Sequence, residues 1–393
     1  MTKTILPLVF ITLIFAFSAE AQTPTPTPPI IPAVIPIPAP TIPPAKVRWN
    51  FDEKTASEAE ARLKKIPDAQ QTRDDVILRI ELIEYYDRLD KPEAKKARQA
   101  HRLWLIRNQP EKMYYRELGW WTDKDALKDT DYIALKEEWL RQINAKKTNE
   151  KIRLSAAHFL SSIDEALAEK ILREGQQINP NVYEYSEQLM SIYQSQVSAA
   201  IDAYETQKEG GSDADIDVAL KKVLAEGEKA LAIISKDEVR DRSNDHLDLL
   251  ARLAAAALDL NDLKKARAFS ETILNGTKGE TSAQWFSTDR AIFYGNNLMG
   301  RVTLREGGTA KAREHLLASI TFPDESDFDL EALETLEMDL AAELLAKGEK
   351  QVVLDYLARL EELTKDDDHI KIFRRWQRLI RRNSFPYWQG ERF

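Results

Sequence analysis

The stretch Asn296–Pro323 constrains the fold of this chain more than any other part of its sequence. It places small side chains at helical spacing before and after Gly307-Gly308, where a helix is expected to end and the chain to turn. Two helices that cross closely need small residues at the point of contact, so we expect Gly300 and Ala312 to be packing residues. The positions that form the pattern are Gly300, Thr303, Ala312, Leu316 and Ser319.

The same offsets recur elsewhere in the chain. A second copy consists of Ala156, Phe159, Ala168, Leu172, Gly175 and Pro180. A third consists of Ala254, Ala257, Ala266, Ser270 and Ile273. A fourth consists of Ala341, Leu344, Gly348, Val353, Leu357 and Leu360. The shared order of small residue, turn, alanine, large residue and small residue closely resembles a tetratricopeptide repeat. That resemblance implies an all-α fold, an α-solenoid of antiparallel helical hairpins with degenerate repeats.

The C-terminal part of the pattern also resembles a narrower group. His315–Ser319, Pro323 and Met338–Glu349 are similar to the C-terminal part of an uncharacterised group of bacterial secreted tetratricopeptide-like proteins. The similarity covers about residues 295–360 and is interrupted at the acidic segment Asp324–Asp329, where those proteins have a link richer in Gly, Ser and Pro. Because the group has no assigned activity, the resemblance implies a fold and no function.

Composition limits the classes of function. A net charge of −9 at pH 7 is unlike that of most nucleic-acid-binding proteins, so we expect no nucleic-acid partner. The chain has no cysteine, which excludes disulfides, cysteine nucleophiles and cysteine-ligated zinc. A charged fraction of 31% and an abundance of Ala, Leu, Glu, Lys and Arg favour helix.

The N-terminus has the pattern of a secretory signal peptide over residues 1–21. Lys3 gives a positive start, and Ile5–Phe17 is apolar but shorter than the roughly 20 residues that span a bilayer. An Ala-Glu-Ala triplet at 19–21 offers a cleavage site. The mature chain is therefore expected to begin at Gln22, and the protein to be periplasmic or secreted. An uncleaved membrane anchor is the alternative.

Residues 22–46 hold ten of the seventeen prolines and are expected to form an extended linker. A docking ligand for a proline-binding partner is the alternative. Beyond the linker we expect a helical, aromatic-rich part at 47–148 and tetratricopeptide-like repeats at 149–363. A basic capping helix with a tail should follow at 364–393.

Aromatic residues cluster in the segment 104–139. Clustered rings stack on sugars or bind a partner peptide, which makes Trp120 and Trp121 candidate binding residues. The alternative is an irregular connection between helices whose rings fill the core. The aromatic residues of the segment include Trp104, Tyr114, Tyr115, Trp120, Trp121, Tyr132 and Trp139.

The last predicted helix, Ile370–Arg382, has two chemically distinct sides. Apolar side chains lie on one side, and five arginines lie largely on the other. Such a helix either caps a repeat array with its polar outer face or contacts an anionic membrane surface or an acidic partner. We expect the capping role, and a membrane surface is the less favoured alternative.

Motifs that would indicate catalysis or a metal site are missing from the sequence. The five histidines are scattered, no two have the i, i+4 spacing of a helical zinc pair, and no nucleotide-binding or nucleophile-elbow motif occurs. We therefore expect a non-catalytic protein, without a cofactor or metal, that binds a protein or peptide partner. An enzyme acting on cell-wall glycan is the alternative, since a catalytic carboxylate pair depends on separation in space.

The most specific prediction concerns Asn297, Arg301 and Arg305, which recur every four residues and so share one face of a helix. Tetratricopeptide proteins that bind a peptide carboxylate carry Asn, Lys and Arg at the resembling positions. The resemblance thus implies a clamp for an acidic or C-terminal peptide, because a guanidinium holds a carboxylate with two charge-assisted hydrogen bonds. The alternative is that both arginines are solvated or salt-bridged within the chain, for example with Glu306.

Overall fold

The structure of the chain is a computed structural model, and it consists of helices joined by turns. It describes residues 51–89, 91–111, 130–206, 212–235, 243–276, 288–323, 338–384 and 386. Fifteen α-helices and one short 3-10 turn, Asp68–Gln70, occur in these ranges, and no β-strand does. The predicted all-α class is therefore confirmed for the described part of the chain.

The helices vary in length from one short segment near the C-terminus to two long ones in the middle. The first five are α1 (Glu53–Lys65), α2 (Arg73–Asp87), α3 (Pro92–Asn108), α4 (Thr130–Ala145) and α5 (Glu150–Ser161). The next five are α6 (Glu165–Ile178), α7 (Tyr183–Glu205), α8 (Asp213–Ile234), α9 (Ser243–Asp259) and α10 (Leu263–Asn275). The last five are α11 (Thr288–Arg305), α12 (Thr309–Ala318), α13 (Asp339–Ala346), α14 (Lys350–Leu363) and α15 (Asp367–Arg381).

Helices that are neighbours in sequence pack against each other along the whole described chain. Second neighbours also make contact at four places: α5 with α7, α9 with α11, α11 with α13, and α12 with α14. Each helix from α2 to α14 therefore contacts both the helix before it and the helix after it.

Three of the four predicted repeat copies share one turn. Asn261, Gly307 and Gly348 each adopt a left-handed backbone, with φ of 57°, 89° and 86°. Glycine adopts this geometry without a Cβ clash, and asparagine tolerates it better than most residues. In each turn the next residue donates its N–H to the carbonyl five positions earlier, at 2.8, 2.9 and 3.0 Å. The offsets found in the sequence therefore correspond to a shared turn.

Gly300 lies where α11 contacts α13. A Cβ atom added at this position would overlap the Cδ2 atom of Leu340 and lie 3.1 Å from the Cβ atom of His315. Ala312 is fully buried in α12, and the other small residues of the four copies are buried as well, apart from Gly348, which is exposed in its turn. The close approach of these helices depends on the missing side chain at position 300.

The N-terminal helices α1 and α2 build their own core around Phe51 and Leu82. Tyr85 is partly buried against this core, with its ring centroid 6.4 Å from that of Phe51. Pro92 is the first residue of α3, a position where its missing N–H costs no helical hydrogen bond. Ala56 and Ala59 of α1 are buried in the core around Phe51 and Leu82, so small residues also lie at this helix contact.

The last helix begins three residues earlier than the sequence predicts. The expected start is Ile370, but α15 begins at Asp367. The Asp366 carboxylate accepts hydrogen bonds from the N–H groups of Asp368 and His369 at 2.7 and 2.9 Å. An aspartate at this position caps a helix N-terminus, so α15 begins directly after Asp366.

Some predictions fall outside the described residues. They concern the signal peptide at 1–21, the linker at 22–46, Trp120 and Trp121, and the acidic segment Asp324–Asp329. In the part of the chain that the structure describes, no helix combines the length and the apolar character needed to cross a membrane.

Candidate functional site

The stripe of Asn297, Arg301 and Arg305 lies on α11 and is largely enclosed by the chain itself. Asn297 and Arg301 are each only 2% exposed, and Arg305 is partly buried. The Nδ2 group of Asn297 donates to the carbonyl of Phe293 at 2.9 Å, one turn earlier on the same helix. The structure therefore brings the three predicted side chains together, but on a face covered by neighbouring helices.

Arg301 is the centre of a buried charge cluster. Its Nη1 atom lies 3.0 Å from Oδ2 of Asp339, and its Nε donates to Oε1 of Glu343 at 2.9 Å. Its Nη2 atom is 3.9 Å from Oδ1 of Asp259. The carboxylates come from α9 and α13, the helices on either side of α11. We call this set, with Arg305, the Arg301 cluster.

Arg305 belongs to the cluster through its contact with Glu343. Its Nη2 atom lies 3.5 Å from Oε1 of Glu343, and its Nη1 donates to the carbonyl of Leu258 at the end of α9. The Nη2 atom of Arg301 and the Oδ1 atom of Asn297 are buried without a hydrogen-bond partner among the described residues. The carboxylates of Asp339 and Glu343 thus take two of the three nitrogens that Arg301 can offer.

Burial and charge act in opposite directions within the Arg301 cluster. Burial raises the pKa of Asp259 to about 7, and the nearby guanidiniums of Arg301 and Arg305 offset only part of that effect. Burial also raises the pKa of Asp339. Burial alone would lower the pKa of Arg301, but the charges of Asp339 and Glu343 outweigh it, and the pKa is raised. Three carboxylates face two guanidiniums, so one carboxylate is in surplus.

This geometry bears directly on the predicted carboxylate clamp. A ligand carboxylate that reached Arg301 would have to replace Asp339 or Glu343, since both already hold the guanidinium. The clamp therefore remains a prediction, and it requires that the ligand displace Asp339 or Glu343 from Arg301. The internal partner named from the sequence, Glu306, pairs instead with Arg267 on α10.

The described rings of the aromatic segment are buried. Trp104, Tyr132 and Trp139 are 8%, 0% and 1% exposed. The guanidinium of Arg79 lies 4.0 Å from the ring centre of Trp104, a cation–π contact between α2 and α3. These three rings fill the core, while Trp120 and Trp121 lie outside the described residues and keep their predicted binding role as a prediction.

The sequence did not reveal an open groove between α7 and α8, the two longest helices. The groove has a volume of about 350 Å³. Each helix lines it with residues at the i, i+3, i+4, i+7 spacing of one face. The lining residues are Gln196, Ala199, Ala200, Ala203, Asp215, Val218, Ala219 and Lys222. Val218 is 54% exposed, so an apolar side chain faces solvent at this groove.

The helices of the groove rest on a buried polar network. Glu226 of α8 is 2% exposed and accepts hydrogen bonds from Arg173 at 2.6 Å and Gln176 at 2.9 Å, both on α6. Arg173 also donates to the hydroxyl of Tyr193 on α7 at 2.9 Å. The ring of Tyr193 in turn lies 5.0 Å from the ammonium group of Lys222 at the groove. These contacts link α7 and α8, the two walls of the groove, to α6.

The described residues contain no group of three or more His, Asp or Glu side chains placed to hold a metal ion. His158 is largely enclosed, and burial lowers its pKa to about 4, so its ring is neutral at pH 7.

Comparison of the chain with models of known protein families, with curated proteins and with solved structures finds no match.

Proposed function

We propose that this chain is an exported, non-catalytic helical-repeat protein that binds a segment of another protein. In this proposal the helices stack as an α-solenoid of antiparallel hairpins, the arrangement that the tetratricopeptide resemblance implies. The shared turns at Asn261, Gly307 and Gly348 and the second-neighbour helix contacts support that stacking.

The observation that best supports binding is the groove between α7 and α8. Four of its eight lining residues are alanines, and they leave room for side chains from a partner. The apolar surface there includes Val218, and Tyr204 near the end of α7 is 42% exposed. Large apolar side chains that face solvent at a groove are typical of a protein-binding surface.

The spacing of the lining residues favours an α-helix as the bound segment. Two helices whose faces carry small residues every three and four positions leave a groove that follows the helix axes. An amphipathic helix buries its i, i+3, i+4 and i+7 side chains in such a groove. Asp215 and Lys222 lie among the lining residues and offer charges of both signs to the polar edge of the ligand.

The proposal is tested by filling the groove. The variant Ala200→Arg puts a long side chain among the lining alanines, and Ile178→Arg changes an apolar residue of α6 that is 46% exposed and is not a lining residue. Proteins captured from an envelope extract by the wild type should be lost with Ala200→Arg and kept with Ile178→Arg. A helical peptide from a captured protein should then bind in a fluorescence-anisotropy titration. Equal capture by all three chains would reject the groove.

Export is tested separately from binding. The signal-peptide pattern at 1–21 supports a periplasmic or secreted location, with the mature chain starting at Gln22. Mass analysis of the N-terminus of the protein recovered from the culture medium or the periplasm decides the matter. Retention of residues 1–21 would reject cleavage at this site.

A further inference from the structure

The side of α8 that lines the groove is complementary to itself. Asp215, Val218, Ala219 and Lys222 line the groove from α8, and Asp215 lies as far before the midpoint of this set as Lys222 lies after it. A second copy of α8 laid antiparallel over this side would place Asp215 opposite Lys222 and Val218 opposite Ala219. An interface between two identical chains related by a two-fold axis requires this pattern, because every contact occurs twice with the partners exchanged.

The two charged residues of this set are both exposed, and neither forms an ion pair with any residue that the structure describes. The hydroxyl group of Ser212 donates to Oδ2 of Asp215 and leaves the charge of the carboxylate unpaired. The ammonium group of Lys222 lies 5.0 Å from the ring centre of Tyr193. Asp215 and Lys222 are seven residues apart on one helix, about 10 Å along its axis, which is too far for them to pair with each other. A second copy would supply a partner for both.

The charge along the whole of α8 selects the antiparallel arrangement. The exposed charged residues before Val218 are all acidic, and those after Ala219 are all basic. An antiparallel copy brings each acidic half over a basic half, whereas a parallel copy in register would bring like charges together. The acidic residues are Asp213, Asp215 and Asp217, and the basic ones are Lys221, Lys222 and Lys229. Because Lys221 and Lys229 already contact Asp217 and Glu226 within the chain, the pairing depends mainly on Asp215 and Lys222.

The shape of the groove permits a helix to approach. Ala199, Ala200 and Ala203 line the opposite wall on α7, so α8 of a second copy would meet short side chains there. Val218 is 54% exposed in one copy and would be covered in the pair, which removes apolar surface from water. Each α8 would lie in the groove of the other copy, and α7 and α8 of both copies would form a four-helix arrangement. The contact is short, so we expect reversible pairing with a dissociation constant on the order of micromolar.

We propose that two copies of this chain pair reversibly through the groove, with α8 of each copy antiparallel to α8 of the other. The pairing covers the surface on which a helix of another protein is proposed to bind. Self-pairing and partner binding would therefore compete, and the free chain would keep its groove covered until a partner helix displaces the second copy. This competition rests on the proposed function, whereas the pairing itself rests only on the shape and charge of the groove.

The pairing is tested by sedimentation velocity of the full chain at a series of concentrations up to about 100 µM. The wild type should change from monomer to dimer over this range. Asp215→Lys makes both charges at the groove side of α8 positive, and Lys222→Glu makes both negative. Each variant alone should raise the dissociation constant of the dimer by more than about 10-fold, because like charges then face each other in both contacts.

Two combinations should restore the dimer. In an equal mixture of Asp215→Lys and Lys222→Glu, a mixed dimer has opposite charges at both contacts, so it should form although neither variant pairs with itself. The double variant Asp215→Lys with Lys222→Glu exchanges the two charges and should pair with itself as the wild type does. A mixture that stays monomeric would overturn the antiparallel arrangement, and a wild type that stays monomeric throughout would overturn the pairing.

The matched control is Asp217→Lys, which makes the same change of charge two positions further along α8. Each residue turns the helix by about 100°, so Asp217 points away from the side that carries Asp215. The variant loses a contact of 3.8 Å with Lys221 and should dimerise like the wild type. Dissociation equal to that of Asp215→Lys would overturn the assignment of the interface to the groove. Circular dichroism equal to that of the wild type shows that each variant is folded.

Failure of the pairing can be told apart from failure of the proposed function. A monomeric wild type that captures a protein which Ala200→Arg loses would reject the pairing and support the function. A dimeric wild type whose captured proteins are the same as those of Ala200→Arg would reject the function and leave the pairing. Addition of a bound helical peptide should convert the wild-type dimer to a monomer, and a dimer that persists with peptide bound would reject the competition.

Discussion

Replacing Asp259 with asparagine should increase the stability of the protein at neutral and alkaline pH. Asp259 is the surplus carboxylate of the Arg301 cluster, 3.9 Å from a guanidinium whose other nitrogens are directed at Asp339 and Glu343. Burial raises its pKa from 3.8 to about 7. A buried carboxyl with a raised pKa is more stable protonated than ionised, so its ionisation destabilises the fold.

The size of the effect follows from the proton balance. Between pH 3.8 and about 7 the unfolded chain has released the Asp259 proton while the folded chain keeps it. The contribution of Asp259 to stability is therefore full below pH 3.8, falls as pH rises through this window, and is constant above it. At about 1.4 kcal/mol for each pH unit, the loss at pH 8 reaches about 4 kcal/mol at most. Asparagine has no proton to release and should not show this loss.

Urea unfolding followed by circular dichroism at pH 4 and pH 8 measures the difference. Asp259→Asn should match the wild type closely at pH 4 and exceed it by about 2–4 kcal/mol at pH 8. The control Asp217→Asn alters an exposed aspartate 3.8 Å from Lys221 and should change stability by less than about 1 kcal/mol at either pH. An Asp259→Asn protein that is less stable than the wild type at pH 8 would refute the reasoning, because it would mean that Arg301 stabilises the ionised form.

Two further substitutions probe the contact between α11 and α13. Gly300→Leu should lower the free energy of unfolding by about 1–3 kcal/mol, because the new side chain would overlap Leu340; a melting temperature equal to that of the wild type would show that the crossing can open without cost. Arg301→Met should lower it by about 3–5 kcal/mol at pH 7, since Asp339 and Glu343 would lose their buried cation. The loss should be smaller at pH 4, where carboxylates are closer to neutral, and a loss of the same size at both pH values would count against a charge effect.

The left-handed turns and the close helix contact at Gly300 could be predicted from the sequence because their signals are local. A turn that needs a left-handed residue requires Gly or Asn at one position, and Gly307 and Gly348 meet that need directly in the sequence. Small residues at a helix crossing follow from the same local spacing, and Gly300 is found where it was expected. The turn residue and the small residues on the two helices beside it lie close together in the sequence, so their pattern can be recognised from one sequence.

The charge cluster could not be predicted in the same way. The carboxylates that hold Arg301 belong to Asp259, Asp339 and Glu343, each about forty positions away along the chain. Their proximity depends on how successive helix pairs align, which the spacing within one helix does not determine. The candidate named from sequence, Glu306, is one residue from Arg305, and adjacent residues of a helix point in different directions.

The groove between α7 and α8 and the last helix, α15, show what helical spacing predicts and what it leaves open. The alanines of α7 and α8 have the spacing of a core-facing stripe, and only the structure shows that they line an open groove. On α15, by contrast, the apolar residues lie mostly on one side, and Phe373 and Trp376 are buried as that division suggests. Periodicity therefore identifies a face, but whether the face is covered depends on the neighbouring helix.

The short helix α13 supplies two of the three carboxylates of the Arg301 cluster. With eight residues, α13 is too short to be stable alone and depends on its contacts with α11 and its neighbours. Two contacts with α11 fix its position: Leu340 fills the space above Gly300, and Asp339 and Glu343 one turn apart hold the guanidinium of Arg301. A shift of α13 by one residue would turn its side chains by about 100°, so it would break both contacts together. We infer that the Arg301 cluster selects the alignment of α13 more than it adds stability, since buried ion pairs contribute little net free energy. On this inference the ionised Asp259 destabilises the fold without helping to align α13. The Asp259→Asn variant removes that charge and leaves Asp339 and Glu343 in contact with Arg301.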